Sequence, residues 1–488
     1  MAVSMETRPM IPEHVFREYD IRGVAGKEID ERFAFLLGRA FARRILKLGR
    51  NTAVVGHDNR ASSPRLHEGV MAGILSMDCR VKDIGQVTTP MFYYSLEALG
   101  VVDGIMVTAS HNPPDENGFK IAIDKGTIYG DAVRSLQQEM AADDVEVERF
   151  LAAEKVNQST SARGSAMSRT RDSARDEVAI KPLYLTMLGE KIKLGSRRLK
   201  VVVDCGNGTA SVIAPDALKQ WGCEVVPLYC TSDPTFPNHH PDPVEPKNLQ
   251  DLIETVRREG ADLGIAFDGD GDRLGVVDET GQIRWGDQLM VLYWREILPK
   301  YPGSEALVEV KCSQALVDEI RKLGGQPRFH RTGHSHIKAT LRASNLPFTG
   351  EMSGHLFFND EYYGFDDALY AAGRLLRILS SQPKPLSALF ADVKTYYATP
   401  ETRVPCDESR KQAVIEAVKS HFQKFYPVVT VDGARVEFPD GWALVRSSNT
   451  QPILVLRAEA TTRLALHTIQ AEVERVLQHS GLLAEIPW

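Results

Sequence analysis

Short, mainly apolar runs of strand length alternate with amphipathic stretches over the first three quarters of the chain. Ala53-Val54-Val55-Gly56, Gly104 to Thr108, Leu199 to Asp204, Asp262 to Phe267 and Ala306 to Val310 read as buried strands. Between them, Glu31 to Leu48, Leu249 to Glu259 and Gln314 to Leu323 carry helical periodicity. Strands of this kind need cover on both faces, so the pattern predicts α/β layers with helices on either side of largely parallel sheets.

A chain of 488 residues exceeds what one hydrophobic core holds, so several domains are expected. The α/β pattern recurs three times without a strict sequence repeat. It breaks at Asn157 to Arg175, a Ser, Thr, Arg and Ala stretch that cannot bury apolar surface and reads as a linker or insertion over residues 157–176. The last ~90 residues change character. There a helix, Glu408 to Lys424, precedes strand-like segments meeting at Asp432-Gly433 and Asp440-Gly441, and a helix from Thr462 to His479 stops before Gly481. The expected fold is three related α/β (mixed-sheet) domains, 1–156, 177–282 and 283–394, plus a C-terminal α+β domain, 395–488.

A net charge of -7 gives no general attraction to nucleic acid or anionic membrane, so an anionic ligand would need local positive charge. No apolar run reaches membrane-spanning length, and Met1 to Arg22 lacks the apolar centre of a signal peptide. The six cysteines form no C-x-x-C pair and are too sparse for a disulfide framework. Reduced, buried thiols in a soluble cytoplasmic protein are expected.

Phe267-Asp268-Gly269-Asp270-Gly271-Asp272-Arg273 lies between two apolar strands, Leu263 to Phe267 and Leu274 to Asp278. Three carboxylates this close along the chain would repel one another. Gly269 and Gly271 permit positive φ, which lets the backbone curl and the carboxylates converge. A hard divalent cation held by oxygen, magnesium or calcium, would offset their charge. An EF-hand is excluded, because Arg273 stands where its glycine is required and strands flank the loop in place of helices.

Thr108-Ala109-Ser110-His111-Asn112-Pro113 follows the apolar strand ending at Val107, the position where α/β folds place ligands. Lys120 follows in Asn117-Gly118-Phe119-Lys120. No G-x-S-x-G elbow occurs, and a serine and histidine adjacent on a loop are not expected to act as nucleophile and base. A phosphate carried on Ser110, with a metal offsetting its charge, suits the acidic loop better.

Together, the T-A-S-H-N-P and D-G-D-G-D-R motifs resemble the α-D-phosphohexomutases, over essentially the whole chain except the Asn157 to Arg175 stretch. Two further motifs follow in that family's order. Gly350-Glu351-Met352-Ser353-Gly354-His355 matches its sugar-recognition loop, and Arg446-Ser447-Ser448-Asn449-Thr450-Gln451-Pro452 its phosphate-binding loop. The resemblance implies four domains around a central cleft and a hexose 1,6-bisphosphate intermediate and activator. It implies that phosphorylated Ser110 with Asp268, Asp270 and Asp272 holds Mg2+. By match of position, Arg22, Lys120 and His334 are candidates for proton transfer. Tyr19, Arg273, Lys311, His334, Glu351, Ser353, His355, Arg446, Ser448, Asn449 and Thr450 are candidates for substrate binding, and Arg60 matches a first-domain motif.

Glu351 and Ser353 match residues that contact the 3- and 4-hydroxyls of the sugar, which glucose and mannose share. The G-E-M-S-G-H form and Gly364-Phe365-Asp366-Asp367 resemble the bacterial bifunctional phosphomannomutase/phosphoglucomutase branch, so both epimers are expected as substrates of a monomer or weak homo-oligomer. Within the family the alternative is a phosphoglucosamine mutase. From other classes, the alternatives are a sugar-phosphate-binding protein without catalysis and an NAD-dependent dehydrogenase. The dehydrogenase reading rests on Gly206-Asn207-Gly208 after a strand, with Glu224 near the ribose-binding distance, but Ser211 replaces the third glycine.

Overall fold

A computed structural model describes residues 11–141, 143, 174–448, 451–481 and 486–488. Its first two sheets are mixed, as the sequence predicts. In the first, of seven strands, Thr52–His57 runs parallel to both Arg80–Gln86 and Gly104–Val107. Glu116–Ile123 returns antiparallel beside Gly104–Val107, and Ile21–Val24 pairs with its far edge. Helices Glu31–Lys47 and Ser63–Leu75 bury one face, and Thr89–Ala98 packs on the other. The ends of these helices are set locally: Asp30 accepts the Phe33 N–H at 2.8 Å and Thr88 accepts that of Met91 at 3.3 Å.

The stretch read as a linker is shorter than expected at its end. Arg175–Glu177 forms a parallel edge strand on Arg80–Gln86, and the Arg175 guanidinium grips Asp83 at 2.6 Å. Its low hydrophobicity hid it, because an edge strand is held here by backbone pairing and charge. Residues 157–173 lie outside the described residues.

The second sheet has five strands, with Leu263–Phe267 parallel to Lys200–Asp204 and antiparallel to Leu274–Asp278. The acidic loop is therefore a hairpin turn, with Phe267 opposite Leu274. Ile283–Arg284 also belongs to this sheet, although the sequence reading placed it in the third domain. In the third unit the strands form two pairs. Glu305–Glu309 runs parallel to Gln326–His330, and Phe348–Gly350 antiparallel to Leu356–Phe358, with the Thr349 hydroxyl donating to the Leu307 carbonyl at 3.1 Å.

The C-terminal unit has a six-stranded sheet whose pairings are all antiparallel, covered by helices Glu408–Phe422 and Arg463–His479 around its own core. One hairpin turns at Pro439 and Asp440, because Gly441 is already paired with Phe438. Its anchor on the third unit is Arg435, which is fully buried between the rings of Phe329 and Trp442 at 4.3 and 3.7 Å. That guanidinium donates to the carbonyls of Val310 and Cys312, on either side of Lys311. Among the described residues, no helix is long and apolar enough to cross a membrane.

Candidate active site

Ser110 stands at the carboxyl end of Gly104–Val107 with φ of 52°, the left-handed region that non-glycine residues seldom adopt. Three contacts hold it there. Its N–H donates to the Thr108 hydroxyl at 2.9 Å, and its carbonyl accepts from Arg60 at 2.8 Å. Its hydroxyl donates to Asp268 at 2.7 Å. Buried Arg60 also donates to the carbonyls of Asn112, Pro113 and Glu116, so one guanidinium shapes the whole serine loop. This is the physical content of the first-domain motif around Arg60.

The carboxylates of Asp268, Asp270 and Asp272 converge, each offering an oxygen within 4.8 Å of the others, and all three are buried. Gly271 takes the positive φ expected of it, at 79°. Gly269 does not; its lack of a side chain serves close approach, since a Cβ would lie 2.2 Å from the Ser110 carbonyl. One oxygen of Asp268 accepts the N–H groups of Gly271, Asp272 and Arg273, which draws the turn closed. Burial, and then the charges of Asp272 and Asp270, push the Asp268 carboxyl up to about 7.

Lys120 reaches this cluster from Glu116–Ile123, 2.7 Å from Asp270 and 2.5 Å from Asp272. Burial works against its charge, yet the two carboxylates outweigh it and hold the ammonium well above the ordinary lysine range. One oxygen each of Asp270 and Asp272 is buried without a hydrogen-bond partner. Three buried carboxylates, two of them with a free oxygen, beside a serine hydroxyl fit a hard, oxygen-liganded divalent cation.

The sugar-recognition loop docks directly on this hairpin. Arg273 pairs with His355 through the backbone, Leu274 donates to the Gly354 carbonyl at 3.1 Å, and a Cβ on Gly354 would lie 2.4 Å from the Leu274 carbonyl. The His355 ring lies 3.0 Å from Asp366 and 3.6 Å from Asp272; burial opposes its charge, but these carboxylates raise its pKa. His334 begins helix His334–Ala343 and stacks on His355 at 5.2 Å. Burial, with Lys338 and His355 nearby, holds His334 well below the ordinary histidine range and therefore neutral. Glu351 turns inward to accept the Gly333 N–H at 2.7 Å, and burial raises its pKa.

A cavity of about 1290 Å³ joins these elements. Tyr19, Arg22, Ser110, Lys120, Asp272, Arg273, Lys311, His334, Ser353 and His355 line it. Asp268, Asp270 and Glu351 are buried and do not line it, nor do Arg446 and Ser448. Arg446 is held by Asp432 at 2.9 Å, and Ser448 accepts the Gln451 N–H at 3.2 Å. Asn449 and Thr450 lie outside the described residues. Lys311 is paired with Glu401 at 2.9 Å, and Arg22 donates to Asp20 and Asn112 at 2.7 and 2.5 Å.

Several contacts were not anticipated from the sequence. His111 does approach Ser110, with its Nδ1 3.2 Å from the hydroxyl, and is held well below the ordinary histidine range by burial and then by Arg273 and Arg22. The serine's positive φ brings together two neighbours that an extended loop would keep apart. Thr89 donates to Asp270 at 2.6 Å, and Lys338 braces Asp366 at 2.9 Å. Asp432 accepts both Arg446 and the Thr332 N–H, which links the last two units. At the Gly206-Asn207-Gly208 turn, the Thr209 N–H donates to the Gly269 carbonyl and Asn59 donates to that of Asn207, so these groups serve the acidic loop and the first unit.

Family models described as phosphoglucomutase/phosphomannomutase match the chain in four segments. Alpha/beta/alpha domains I, II and III cover residues 13–145, 182–281 and 285–396, and the C-terminal domain covers 401–476. A Pseudomonas aeruginosa phosphomannomutase/phosphoglucomutase is 41% identical over 487 residues, 100% of each chain. A phosphoglucomutase of Neisseria meningitidis is 40% identical over 96% of this chain and 97% of its own. The crystal structure of a phosphoglucomutase/phosphomannomutase family protein from Burkholderia thailandensis superposes with a TM-score of 0.87 at 39% identity, covering 98% of this chain and all of that one.

Proposed function

Because the chain belongs to the phosphoglucomutase/phosphomannomutase family, we propose that it moves phosphate between the 1- and 6-positions of glucose and mannose through a phosphoserine at Ser110. The observation that carries this reading is the Ser110 hydroxyl, on the cavity wall and 2.7 Å from Asp268 in a cluster of three buried carboxylates.

In this reading the Ser110 phosphate passes to the free hydroxyl of a hexose monophosphate, giving a 1,6-bisphosphate. The sugar turns over, and its other phosphate returns to Ser110. Asp268, Asp270, Asp272 and the Ser110 oxygen or its phosphate would hold Mg2+, which when bound offsets charge on the transferring phosphoryl group. Arg60 fixes the serine carbonyl, so that the hydroxyl keeps its aim while the group it carries changes. Lys120, strongly held as a cation, serves electrostatically; neutral His334 and His111 are better suited to accept a proton at neutral pH. Arg22 supplies positive charge on the cavity wall beside the serine loop.

The non-reacting phosphate is assigned to the loop of Arg446, Ser448, Asn449 and Thr450, with Tyr19, Arg273 and Lys311 completing the positive wall. Glu351, Ser353 and His355 read the sugar hydroxyls common to both epimers. The four loops are assigned to units 1–156, 177–282, 283–394 and 395–488. Turnover of glucose 1-phosphate and mannose 1-phosphate, with Mg2+ and a bisphosphate activator, tests the reading. Both should be converted by the wild type and neither by Ser110→Ala; conversion of glucosamine phosphate alone would favour the amino-sugar alternative.

A further inference from the structure

Cys205 and Cys230 leave adjacent parallel strands, one residue beyond Asp204 and two beyond its partner Leu228. The extra residue, Tyr229, has φ of 51° and swings Cys230 back toward Cys205, so that their sulfurs lie 3.4 Å apart. No other pair of cysteines among the described residues shows such a contact. Cys205 is fully buried, whereas Cys230 is partly exposed. A disulfide needs about 2.05 Å between sulfurs, so closure asks for a modest displacement of both residues.

That displacement would fall on the support of the site. The Asn207 N–H donates to the Tyr229 carbonyl at 2.9 Å, and its side chain to that of Thr231 at 2.8 Å. Asn59 donates to the Asn207 carbonyl and the Ser232 hydroxyl at 2.8 and 3.0 Å. Its neighbour Arg60 carries the Ser110 carbonyl. In the same turn, Thr209 donates to the carbonyl of Gly269 in the acidic loop at 2.9 Å. Residues within four positions of the cysteines thus support both loops, Thr209 directly and Asn207 by way of Asn59 and its neighbour Arg60.

We propose that Cys205 and Cys230 form an oxidisable dithiol, a modification site for hydroperoxides, whose closure to a disulfide displaces the turn that supports the metal loop and the serine loop. The Cys205 contact lowers the Cys230 thiol, while the same contact and burial raise Cys205, so the exposed sulfur is the attacking thiolate. Cys230 attacks a peroxide oxygen; the O–O bond breaks, leaving a sulfenic acid and hydroxide. The Cys205 sulfur then attacks the sulfenic sulfur, the S–S bond forms, the S–O bond breaks and water leaves. Overall two thiols lose two electrons and two protons, and one hydrogen peroxide becomes two waters.

The dithiol stands on geometry alone; its effect on turnover rests on the reading of Ser110 above. The test treats the full chain with hydrogen peroxide, then measures non-reduced peptide masses, Mg2+ affinity by calorimetry and mutase turnover. The expected result is a Cys205–Cys230 cross-linked peptide, weakened Mg2+ binding and a turnover loss of at least about tenfold, all reversed by dithiothreitol. Cys230→Ser and Cys205→Ala should keep untreated Mg2+ affinity and turnover and resist peroxide. Absence of the cross-link, a cross-link that leaves Mg2+ affinity unchanged, or equal peroxide sensitivity in both variants overturns the proposal. A protein that never turns over, yet cross-links and loses Mg2+ affinity, would instead sink the mutase reading and leave the dithiol standing.

Discussion

The ammonium of Lys120 lies 2.7 Å from a carboxylate oxygen of Asp270, with both side chains buried. A buried pair of this kind is costly to break, because the surviving charge is left without a partner. Lys120→Ala should therefore lower metal-free stability by about 3–5 kcal/mol. Saturating Mg2+ should restore much of that loss, since the metal takes over the compensation. Thermal unfolding with and without Mg2+ checks this; an equal loss in both conditions would show that Lys120 does not balance the aspartates.

Gly269→Ala places a methyl 2.2 Å from the Ser110 carbonyl, where neither loop backbone can yield cheaply. A destabilisation of about 1–3 kcal/mol is expected, with a much larger proportional loss of kcat. Gly271→Ala acts by a different route, through the strain of φ at 79°. Urea unfolding together with steady-state kinetics separates these effects from a neutral outcome.

Arg435 pins the last two units together. Arg435→Ala leaves the carbonyls of Val310 and Cys312 without their donor and removes the cation from between Phe329 and Trp442. The expected cost is about 2–4 kcal/mol, with a rise in KM because Lys311 sits between those carbonyls. Arg435→Lys should recover little of this, since an ammonium cannot reproduce the planar fork. Full recovery by lysine would contradict the geometry.

Glu401 carries a pH signature. The charge of Lys311, although burial acts against it, pulls its carboxyl down to about 2 from an ordinary value near 4.5. A depressed acid stabilises the fold above its unfolded pKa, and that contribution is lost as pH falls from about 4.5 toward 2. Glu401→Gln should be less stable than wild type at neutral pH, on the order of 3 kcal/mol, and the gap should narrow by pH 3. A gap constant from pH 7 to pH 3 would assign the loss to packing.

The acidic loop, the serine loop and the Gly-Glu-Met-Ser-Gly-His loop, which the structure brings together, were legible in sequence because their chemistry depends on adjacent residue types. The strand and helix pattern was legible for a similar reason, since periodicity is local. What escaped were partners brought in from other elements. Thr89 on Asp270, Lys338 on Asp366 and Asp432 on Arg446 are each separated from their partners by the fold, and nothing in their neighbourhoods marks them. His111 was visible in its motif, but its contact with Ser110 was not, because that contact depends on a backbone angle that composition does not reveal.

The central claim is that Ser110 exchanges its phosphate with the sugar, and a single turnover tests it most directly. Enzyme phosphorylated on Ser110 with unlabelled phosphate is mixed with a limiting amount of glucose 1-phosphate radiolabelled in its phosphate. The account predicts that the first glucose 6-phosphate released is unlabelled and that the label appears on the peptide containing Ser110. Labelled glucose 6-phosphate with an unlabelled Ser110 peptide would contradict it.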